Sequence, residues 1–390
     1  MEESGKERRG LLTRVHVLGA GAVGLLIAAH LRRVGHPVTL LLRTQASVDR
    51  FVSDGKRVVV HNDWMGAQSA EKVWVADGIC AEHPQTTSAS STDSGCARIR
   101  RLVITTKAHD TVKAYMSVEN RLDAQSTVLL LQNGMGTYEA IQHRQRASDQ
   151  DRQKEVKMKE GGEPSFVIGT NSHGCLRIPG EKFATHHTAI GELKFAVREP
   201  LHQRTIQAPK STDEMLNAVQ NLGLNASVVG WTELHKQLLL KLAANAVINP
   251  VTALAGCRNG YVVPQQQQQQ QGGGGSEHHV STASMVSSAC AEIAAVYARA
   301  YPQLGKELSV QTLQRHVVAV ARATGANRSS MLQDVSAGEA TEVDWINGYL
   351  MRLGEQHGIA TPVNTLLHTV VKLKEEAAAI AADEEILAQE

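Results

Sequence analysis

A glycine-rich segment near the start of the chain constrains the fold more than any other feature. The residues RVHVL at 14–18 have the apolar, β-branched character of a short strand, and GAGAVG at 19–24 follows directly. The next stretch, LLIAAHLRRVG at 25–35, has apolar residues at helical spacing and ends in a glycine. A strand, a Gly-x-Gly-x-x-Gly turn and a helix in this order are typical of a dinucleotide-binding βαβ unit.

Each glycine of this turn has a physical role. Gly19 permits the tight turn, Gly21 lets the backbone approach a pyrophosphate, and Gly24 allows close packing of helix on strand. The free N–H groups at the helix N-terminus would bind the phosphates. A tight strand–helix turn without a ligand is the alternative. We predict that the whole turn binds the cofactor; its members are Gly19, Ala20, Gly21, Ala22, Val23 and Gly24.

The end of the second predicted strand, VTLLLR at 38–43, bears on the choice of dinucleotide. An NAD enzyme usually has Asp or Glu at this place, where it binds the ribose 2′-hydroxyl, but this chain has Arg43. An arginine can bind a 2′-phosphate instead, which favours NADP(H). A solvated surface arginine, or a contribution from Arg32 or Arg33, is the alternative.

The chain divides into a β-rich part and a helical part. Strands alternating with helical segments predict a parallel, helix-covered sheet in residues 1–230, with strands at 14–18, 38–43, near 58, near 73, 102–106 and 127–134. Residues 231–390 show no strand pattern and predict an all-α domain, with helices at 231–248, 278–300, 308–323, 342–356 and 363–382.

Three polar segments interrupt these patterns and are expected to be surface insertions. They are the Ser/Thr-rich 86–95, the charged 143–163 and the run QQQQQQQGGGGS at 265–276. The first and third lie within wider insertions near 80–98 and at 264–277. None carries enough apolar residues to pack against a core, so each is predicted to be a mobile loop. The glutamine run could instead be an interaction tract.

Composition excludes several classes of protein. Lys+Arg 40 against Asp+Glu 39 leaves a formal charge of +1, which gives no field for nucleic acid or an anionic membrane. The 5 cysteines are far apart and form no Cys-x-x-Cys pair, so neither a disulfide framework nor a metal site is predicted. The apolar stretch 237–256 contains a lysine, two asparagines and a proline, which argues against a membrane span, and residues 1–10 lack the apolar core of a secretory signal.

Two further predicted strands end in polar residues. LVITTKAHD places Lys107 just after one strand, and TVLLLQNG places Asn133 just after another. Because ligands of such sheets bind at the carboxyl ends of the strands, either residue could contact the nicotinamide or a substrate. Taken alone, Lys107 is equally an ordinary surface lysine.

The apolar segment LLLKLAANAVINPVTAL carries one charge. Lys241 is followed by Asn245 and Asn249, which at 3.6 residues per turn are rotated by about 40° and 80° from it, so the three share one face of a helix. Burial of the lysine would lower its pKa towards neutrality, as a general acid requires. The alternatives are a lysine that reaches the surface and one paired in an internal salt bridge.

A second polar cluster, NRSSMLQDVSAGEATEVDWINGYL, lies at 327–350. Ser329 and Ser330 could donate hydrogen bonds to a substrate carboxylate, and Glu342 opens a predicted helix. Thr341 and Glu342 could equally serve only to start that helix.

Taken together, these motifs closely resemble the ketopantoate reductase family, the 2-dehydropantoate 2-reductases of pantothenate biosynthesis. The matching blocks run in the family's order from residue 14 to about 372, and they are GAGAVG, TTKAHDT, QNGMG, KLAANAVINPVTAL and RSSMLQDVSAGEATEVDWINGYL. The resemblance implies an N-terminal NADPH-binding, Rossmann-type α/β domain and a C-terminal helical domain that closes over the cleft. The insertions depart from the compact bacterial form without removing a motif residue.

The family's functional residues can be carried over position by position. The resemblance implies that Lys241 is the general acid, that Glu342 binds the substrate hydroxyl, and that Asn245, Asn249 and Ser330 hold the substrate. It also places Lys107, Asn133 and Arg43 at the family's cofactor and substrate positions. Every one of these positions holds the expected type of residue.

The resulting expectation is reduction of 2-dehydropantoate to (R)-pantoate by NADPH, in a cytoplasmic monomer or homodimer that binds neither nucleic acid nor membrane. A mitochondrial address in the N-terminal extension is left open. Two alternatives remain: an NADPH-dependent reductase of another 2-keto acid, and a non-catalytic NADPH sensor that acts on a partner through its glutamine-rich segment.

Overall fold

A computed structural model describes residues 13–66, 69, 71–85, 98–152, 162–178, 180–198, 208–263 and 280–387. The chain forms two compact units. Unit 1 comprises residues up to Gln132 together with Thr137–Leu234, and unit 2 comprises Asn133–Gly136 together with residues from His235 onward. The glutamine-rich segment and most of the Ser/Thr-rich segment lie outside the described residues, so the structure does not test the predictions made for them.

Unit 1 contains all the described strands. In chain order they are β1 (Val15–Leu18), β2 (Val38–Leu41), β3 (Val58–Asn62), β4 (Val73–Ala76), β5 (Cys80–Glu82), β6 (Arg101–Ile104), β7 (Thr127–Leu130), β8 (Ser165–Asn171), β9 (Gly174–Ile178), β10 (Glu181–Ala189), β11 (Leu193–Arg198) and β12 (Ala226–Val228). Eight of them form one sheet, in the order β12-β11-β8-β7-β6-β1-β2-β5. Its pairs are parallel except β8 with β11.

The helices of unit 1 are α1 (Ala22–Arg33), α2 (Gln45–Ser53), α3 (Ala108–Val118), α4 (Thr137–Arg152) and α5 (Lys210–Gln220). Strands β1, β2, β6 and β7 are buried at every position, as strands covered on both faces must be. The core of this unit therefore lies on the two faces of the eight-stranded sheet. The strand order reverses direction between β1 and β6, which is where ligands bind in open α/β sheets.

Two predicted strands lie outside the parallel sheet. Strands β3 and β4, expected near 58 and 73, pair with β9 and β10 in a separate sheet of order β4-β3-β10-β9. Its β3–β4 and β9–β10 pairs are antiparallel. In β4, exposed Val73 and Val75 alternate with more buried residues, so this strand is covered on one face only. Strands of a helix-covered parallel sheet are buried on both faces, which is why β4 does not belong to one.

The predicted loop at 143–163 is partly wrong, and the predicted insertion near 80–98 begins with a strand. Residues 80–82 form β5, which pairs with β2 at the edge of the eight-stranded sheet. Residues 143–152 continue helix α4. Polarity alone misled the prediction here, because glutamine, arginine and alanine favour helix even where little apolar surface is buried.

Within the described residues of unit 2, all the regular secondary structure is helical. Its helices are α6 (Trp231–Ala255), whose first residues belong to unit 1, α7 (Val280–Ala300), α8 (Val310–Ala323), α9 (Ser330–Ser336), α10 (Asn347–Gln356) and α11 (Pro362–Leu387). Their apolar faces enclose a core of their own. The predicted fold class, a Rossmann-type α/β domain followed by an all-α domain, is confirmed. The helix predicted to end at 248 continues past Pro250 to Ala255.

Helix α6 is long and apolar among the helices that the structure describes. It alone among them has the length and composition of a membrane-spanning segment, and 72% of its most apolar window is buried within the protein. Burial of this extent is what the central helix of a protein core shows.

A pair of buried histidines holds together the end of unit 1's smaller sheet. The Gly191 N–H donates to His173 Nδ1 (3.0 Å), so the proton of His173 lies on Nε2 and is donated to the Leu224 carbonyl (2.9 Å). Trp64 Nε1 donates to His187 Nδ1 (3.3 Å), and His187 Nε2 lies 2.9 Å from His173 Nδ1. In the neutral form, each ring nitrogen of both histidines therefore has a hydrogen-bond partner. Protonation of either Nδ1 would place a new N–H against a group that already donates to that nitrogen.

Acid is expected to destabilise unit 1 through these rings. Burial, with a smaller contribution from the neighbouring His173, lowers the pKa of His187 from 6.5 to about 4, so the unfolded chain binds more protons than the folded one. Stability contributed by the neutral rings is therefore complete above pH 6.5 and is lost as the pH falls towards 4. In His187→Gln, the difference in thermal midpoint between pH 7 and pH 5 should be smaller than in the wild type. His143→Gln, at an exposed position of α4, is the control and should leave that difference unchanged.

Candidate active site

The glycine turn between β1 and α1 is packed too tightly for side chains at two positions. Gly19 has φ +113°, and a Cβ there would lie 2.7 Å from the Thr106 nitrogen. A Cβ at Gly24 would collide with the Gly19 carbonyl. The Thr105 hydroxyl, just after β6, donates to that same carbonyl at 2.7 Å. The turn is thus fixed where the strand order reverses, and both glycines are required by sterics.

Gly21 stands in a different environment. It is the N-cap residue of α1, has extended backbone, and has no neighbouring atom within 4 Å of the place where a Cβ would lie. No acidic residue occupies the first turn of α1, and no side chain caps it. The first N–H groups of the helix therefore face open space free of negative side chains, which fits a dinucleotide pyrophosphate.

Arg43 lies beyond the end of β2 with its side chain 81% exposed. Its Nη2 is 2.9 Å from Asp110 Oδ2, in the first turn of α3. The other two arginines considered for the same role are engaged elsewhere: Arg32 donates to the Asp77 carbonyl at 2.8 Å, and Arg33 pairs with Glu71. Arg43 also has an ion-pair partner, but it is the most exposed of the three arginines and so stays the candidate for binding a 2′-phosphate. The carboxylate of Asp110, a residue not identified from the sequence, already accepts from the Arg43 guanidinium.

Lys107 and Asn133 both follow strands of the sheet, but the structure places them in different units. Lys107 is the N-cap residue of α3 in unit 1. Asn133 follows β7, yet residues Asn133–Gly136 belong to unit 2. The Met135 N–H donates to the Trp345 carbonyl at 3.0 Å, and a Cβ at Gly134 would lie 2.5 Å from that carbonyl oxygen. Close backbone packing therefore fixes the position of Asn133.

Lys241 lies on α6, and its Nζ donates to Asn133 Oδ1 at 3.1 Å. Burial lowers the pKa of this lysine from 10.5 to about 8, although the negative charge of Glu342 acts in the opposite direction. The side chain keeps some solvent access. Near neutral pH the amine is therefore mostly protonated and able to exchange its proton, as a general acid requires.

The remaining predicted residues of unit 2 occupy distinct positions. Asn245 is half-buried and Asn249 is 6% exposed, both on α6. Of the two serines, Ser329 caps α9 through Leu332 N and lies 2.7 Å from the Thr252 hydroxyl, whereas Ser330 is exposed. Ser329 is thus structural, and Ser330 remains the candidate for binding a ligand.

Glu342 precedes a short 3-10 turn at Val343–Trp345 and does not cap it with its side chain. The hydroxyl of Thr341 accepts from the Val343 N–H instead, at 3.2 Å. Of the two residues considered as helix starters, Thr341 therefore serves that purpose. The Glu342 carboxylate acts electrostatically on Lys241.

Loss of the Glu342 charge is expected to lower the pKa of Lys241 below about 8, because burial would then act unopposed. Glu342→Gln keeps the size of the side chain and removes the charge. NMR titration of the Lys241 side chain should show the shift. Lys236 lies on the same helix as Lys241 and pairs with Glu307 at 2.7 Å, so it is the internal control. An unchanged Lys241 titration would contradict the assigned electrostatic influence.

The glycine turn and the desolvated lysine define the class of protein as a dinucleotide-dependent oxidoreductase. The family model described as "Ketopantoate reductase PanE/ApbA" matches residues 15–200, and "Ketopantoate reductase PanE/ApbA C terminal" matches 233–375. The chain belongs to the ketopantoate reductase family.

Individual relatives agree with this assignment. The chain is 29% identical to the 2-dehydropantoate 2-reductase of Shigella flexneri over 368 residues, which cover 93% of this chain and 95% of the relative. It is 26% identical to the probable 2-dehydropantoate 2-reductase of Schizosaccharomyces pombe over 372 residues, covering 92% and 95%.

Solved structures show the same fold. The probable 2-dehydropantoate 2-reductase PanE from Bacillus subtilis has a TM-score of 0.62 and 25% identity, covering 93% of this chain and 99% of that one. A D-mandelate dehydrogenase solved with NADH and anilino(oxo)acetate has a TM-score of 0.67 at 18% identity, covering 94% and 99%. The second similarity concerns the fold alone.

Proposed function

We propose that this protein reduces 2-dehydropantoate to (R)-pantoate with NADPH, as a step of pantothenate biosynthesis. The observation that carries the proposal is the hydrogen bond from the buried Lys241 ammonium to Asn133, in a chain of the ketopantoate reductase family. We assign cofactor binding mainly to residues 1–230 and catalysis to residues 231–390.

The geometry of unit 1 supports the proposed cofactor residues. Gly21 and the first N–H groups of α1 would bind the pyrophosphate, and Gly19 and Gly24 would hold the turn in shape. Arg43 would bind the 2′-phosphate. We retain Lys107 and Asn133 as residues near the nicotinamide half of the cofactor.

The chemistry divides between cofactor and protein. NADPH, when bound, supplies the hydride that adds to the C2 carbonyl carbon of the keto acid. Lys241 stabilises the negative charge that develops on the carbonyl oxygen and donates its proton to that oxygen, and water then reprotonates the amine. Because only the protonated lysine acts as an acid, turnover should fall as the pH rises through about 8.

The remaining polar residues would hold the substrate. We assign Asn245, Asn249 and Ser330 to binding of the keto acid and Glu342 to the substrate hydroxyl. The polar face of α6 and the exposed Ser330 hydroxyl support this assignment.

Loss of the lysine should abolish most turnover without loss of the cofactor. Lys241→Ala is expected to lower kcat with 2-dehydropantoate by about 10²-fold or more, because it removes both the proton donor and the charge. NADPH oxidation is followed by absorbance, and NADPH binding, measured separately by fluorescence, should be almost unchanged. Lys236→Ala is the control on the same helix.

The outcome of this assay distinguishes the candidates. If wild-type protein binds NADPH but oxidises it faster with ketoisovalerate or pyruvate than with 2-dehydropantoate, the assigned substrate is wrong. If Lys241→Ala keeps the wild-type kcat, the lysine is not the acid.

Asp110 is expected to weaken the preference for NADPH. Its carboxylate lies 2.9 Å from the Arg43 guanidinium, where it competes with a 2′-phosphate and repels it. Asp110→Asn should tighten NADPH binding by about threefold to tenfold, which corresponds to roughly 1 kcal/mol, and should leave NADH binding unchanged. Calorimetry with both nucleotides measures the effect. Asp213→Asn, at an exposed position of α5, controls for the loss of one negative charge. Equal changes for both nucleotides would contradict a role at the 2′-phosphate.

A further inference from the structure

Helix α6 lacks one backbone hydrogen bond, next to the polar residues of its sequence. Pro250 has no N–H, so the Ala246 carbonyl lacks the hydrogen bond that residue 250 would normally donate to it. Ala246 lies between Asn245 and Asn249, and Lys241 lies one turn earlier. Proline is the commonest cause of a bend in a helix, and a bend here would change the position of Lys241 and Asn245 relative to Asn249.

A buried side chain supplies the missing donor. The Asn347 side chain, at the start of α10, is fully buried, and its Nδ2 donates to the Ala246 carbonyl at 2.9 Å. A buried carbonyl without a partner destabilises a fold, so this contact offsets one of the two costs of an interior proline, the lost hydrogen bond. It also fixes the local direction of the helix, because the amide comes from a different element.

The hydrogen bonds around Asn347 determine which way its amide points. Glu292 accepts from the backbone N–H groups of Val363 (2.7 Å) and Asn364 (3.0 Å), and from Asn364 Nδ2 (2.8 Å). Asn364 therefore presents its oxygen, Oδ1, to Asn347 Nδ2 at 3.2 Å. Both hydrogens of the Asn347 amide thus face acceptors, Asn364 Oδ1 and the Ala246 carbonyl. Its own oxygen is buried and has no partner among the described residues.

We infer that Asn347 is a positioning residue for the reaction: its amide replaces the backbone donor that Pro250 lacks and so holds Lys241 and Asn245 in register with Asn249. The inference rests on the proposed function. It assigns no contact between Asn347 and substrate, cofactor or reacting atoms.

The test uses a variant that restores the backbone donor. Asn347→Leu removes the amide with little change of volume, and kcat with 2-dehydropantoate should fall by about tenfold or more, because small displacements of catalytic groups are costly. The Kd for NADPH should not change. Pro250→Ala returns an N–H to position 250, so the double variant Asn347→Leu/Pro250→Ala should recover kcat to within about threefold of Pro250→Ala alone.

A matched control removes another hydrogen bond to the same helix. The buried Tyr297 hydroxyl donates to the Leu239 carbonyl at 3.0 Å, but there the helix has the N–H of Ala243 as a second donor. Tyr297→Phe should therefore leave kcat within about twofold of the wild type. Asn347→Ala, which cannot overpack the site, is measured beside Asn347→Leu in case the leucine variant does not fold.

Each outcome decides the inference. A loss of kcat that Pro250→Ala rescues supports it. A loss of thermal stability with unchanged kcat, or a loss of kcat that Pro250→Ala does not rescue, overturns it. If the wild-type protein does not reduce 2-dehydropantoate, the proposed function fails. In that case thermal stability still tests whether the Asn347 amide replaces the donor that Pro250 lacks. If Pro250→Ala restores the stability lost in Asn347→Leu, this part of the inference is supported. If the effects of the two substitutions on stability simply add, it is wrong.

Discussion

The candidate site in unit 2 is built around one ammonium group in an apolar helix. Burial disfavours the charge of Lys241, and two polar side chains from other segments stabilise it: the amide oxygen Oδ1 of Asn133 and the carboxylate of Glu342. Each partner is fixed by backbone packing: Gly134, next to Asn133, lies against Trp345 too closely for a side chain. The position of the amine thus depends on three segments at once, so its pKa reports whether all three are in place.

In unit 1, close backbone packing holds the glycine turn. Its glycine turn must leave N–H groups free for phosphate, and it must nevertheless keep one shape. Gly24 packs against the Gly19 carbonyl, which also accepts the Thr105 hydroxyl, so the turn is held from β1 and β6 together. Gly21 alone is left with open space. Rigidity at two glycines and access at the third explain why the motif needs all three.

The sequence predicted well the parts of the molecule whose signal is local. The strand–glycine–helix unit, the helical second half and the polar face of α6 all follow from spacing within a few turns. Pairing between distant segments carries no such signal, and β3 and β4 were therefore placed in the wrong sheet. The same limit applies to the site. Asp110 is an ordinary acidic residue of a helix in the sequence, and only the fold places it 2.9 Å from Arg43. The helix at 143–152 was missed for another reason, because polar composition was taken to mean a loop.

Pro250 shows how local and distant information combine. In the sequence, a proline after a helical pattern predicts the end of the helix, and the helix was expected to stop at 248. In the structure, α6 continues to Ala255, and Asn347, about a hundred positions later in the chain, donates to the carbonyl that the proline leaves unpaired. The same amide is oriented by Asn364, which in turn is oriented by Glu292. Lys241, the proposed general acid, was selected from the sequence by its residue type and its apolar surroundings. A residue that positions such a group, as proposed for Asn347, is recognised only by its contacts. In the sequence nothing distinguishes this asparagine, because its hydrogen bond to the Ala246 carbonyl is visible only in the structure.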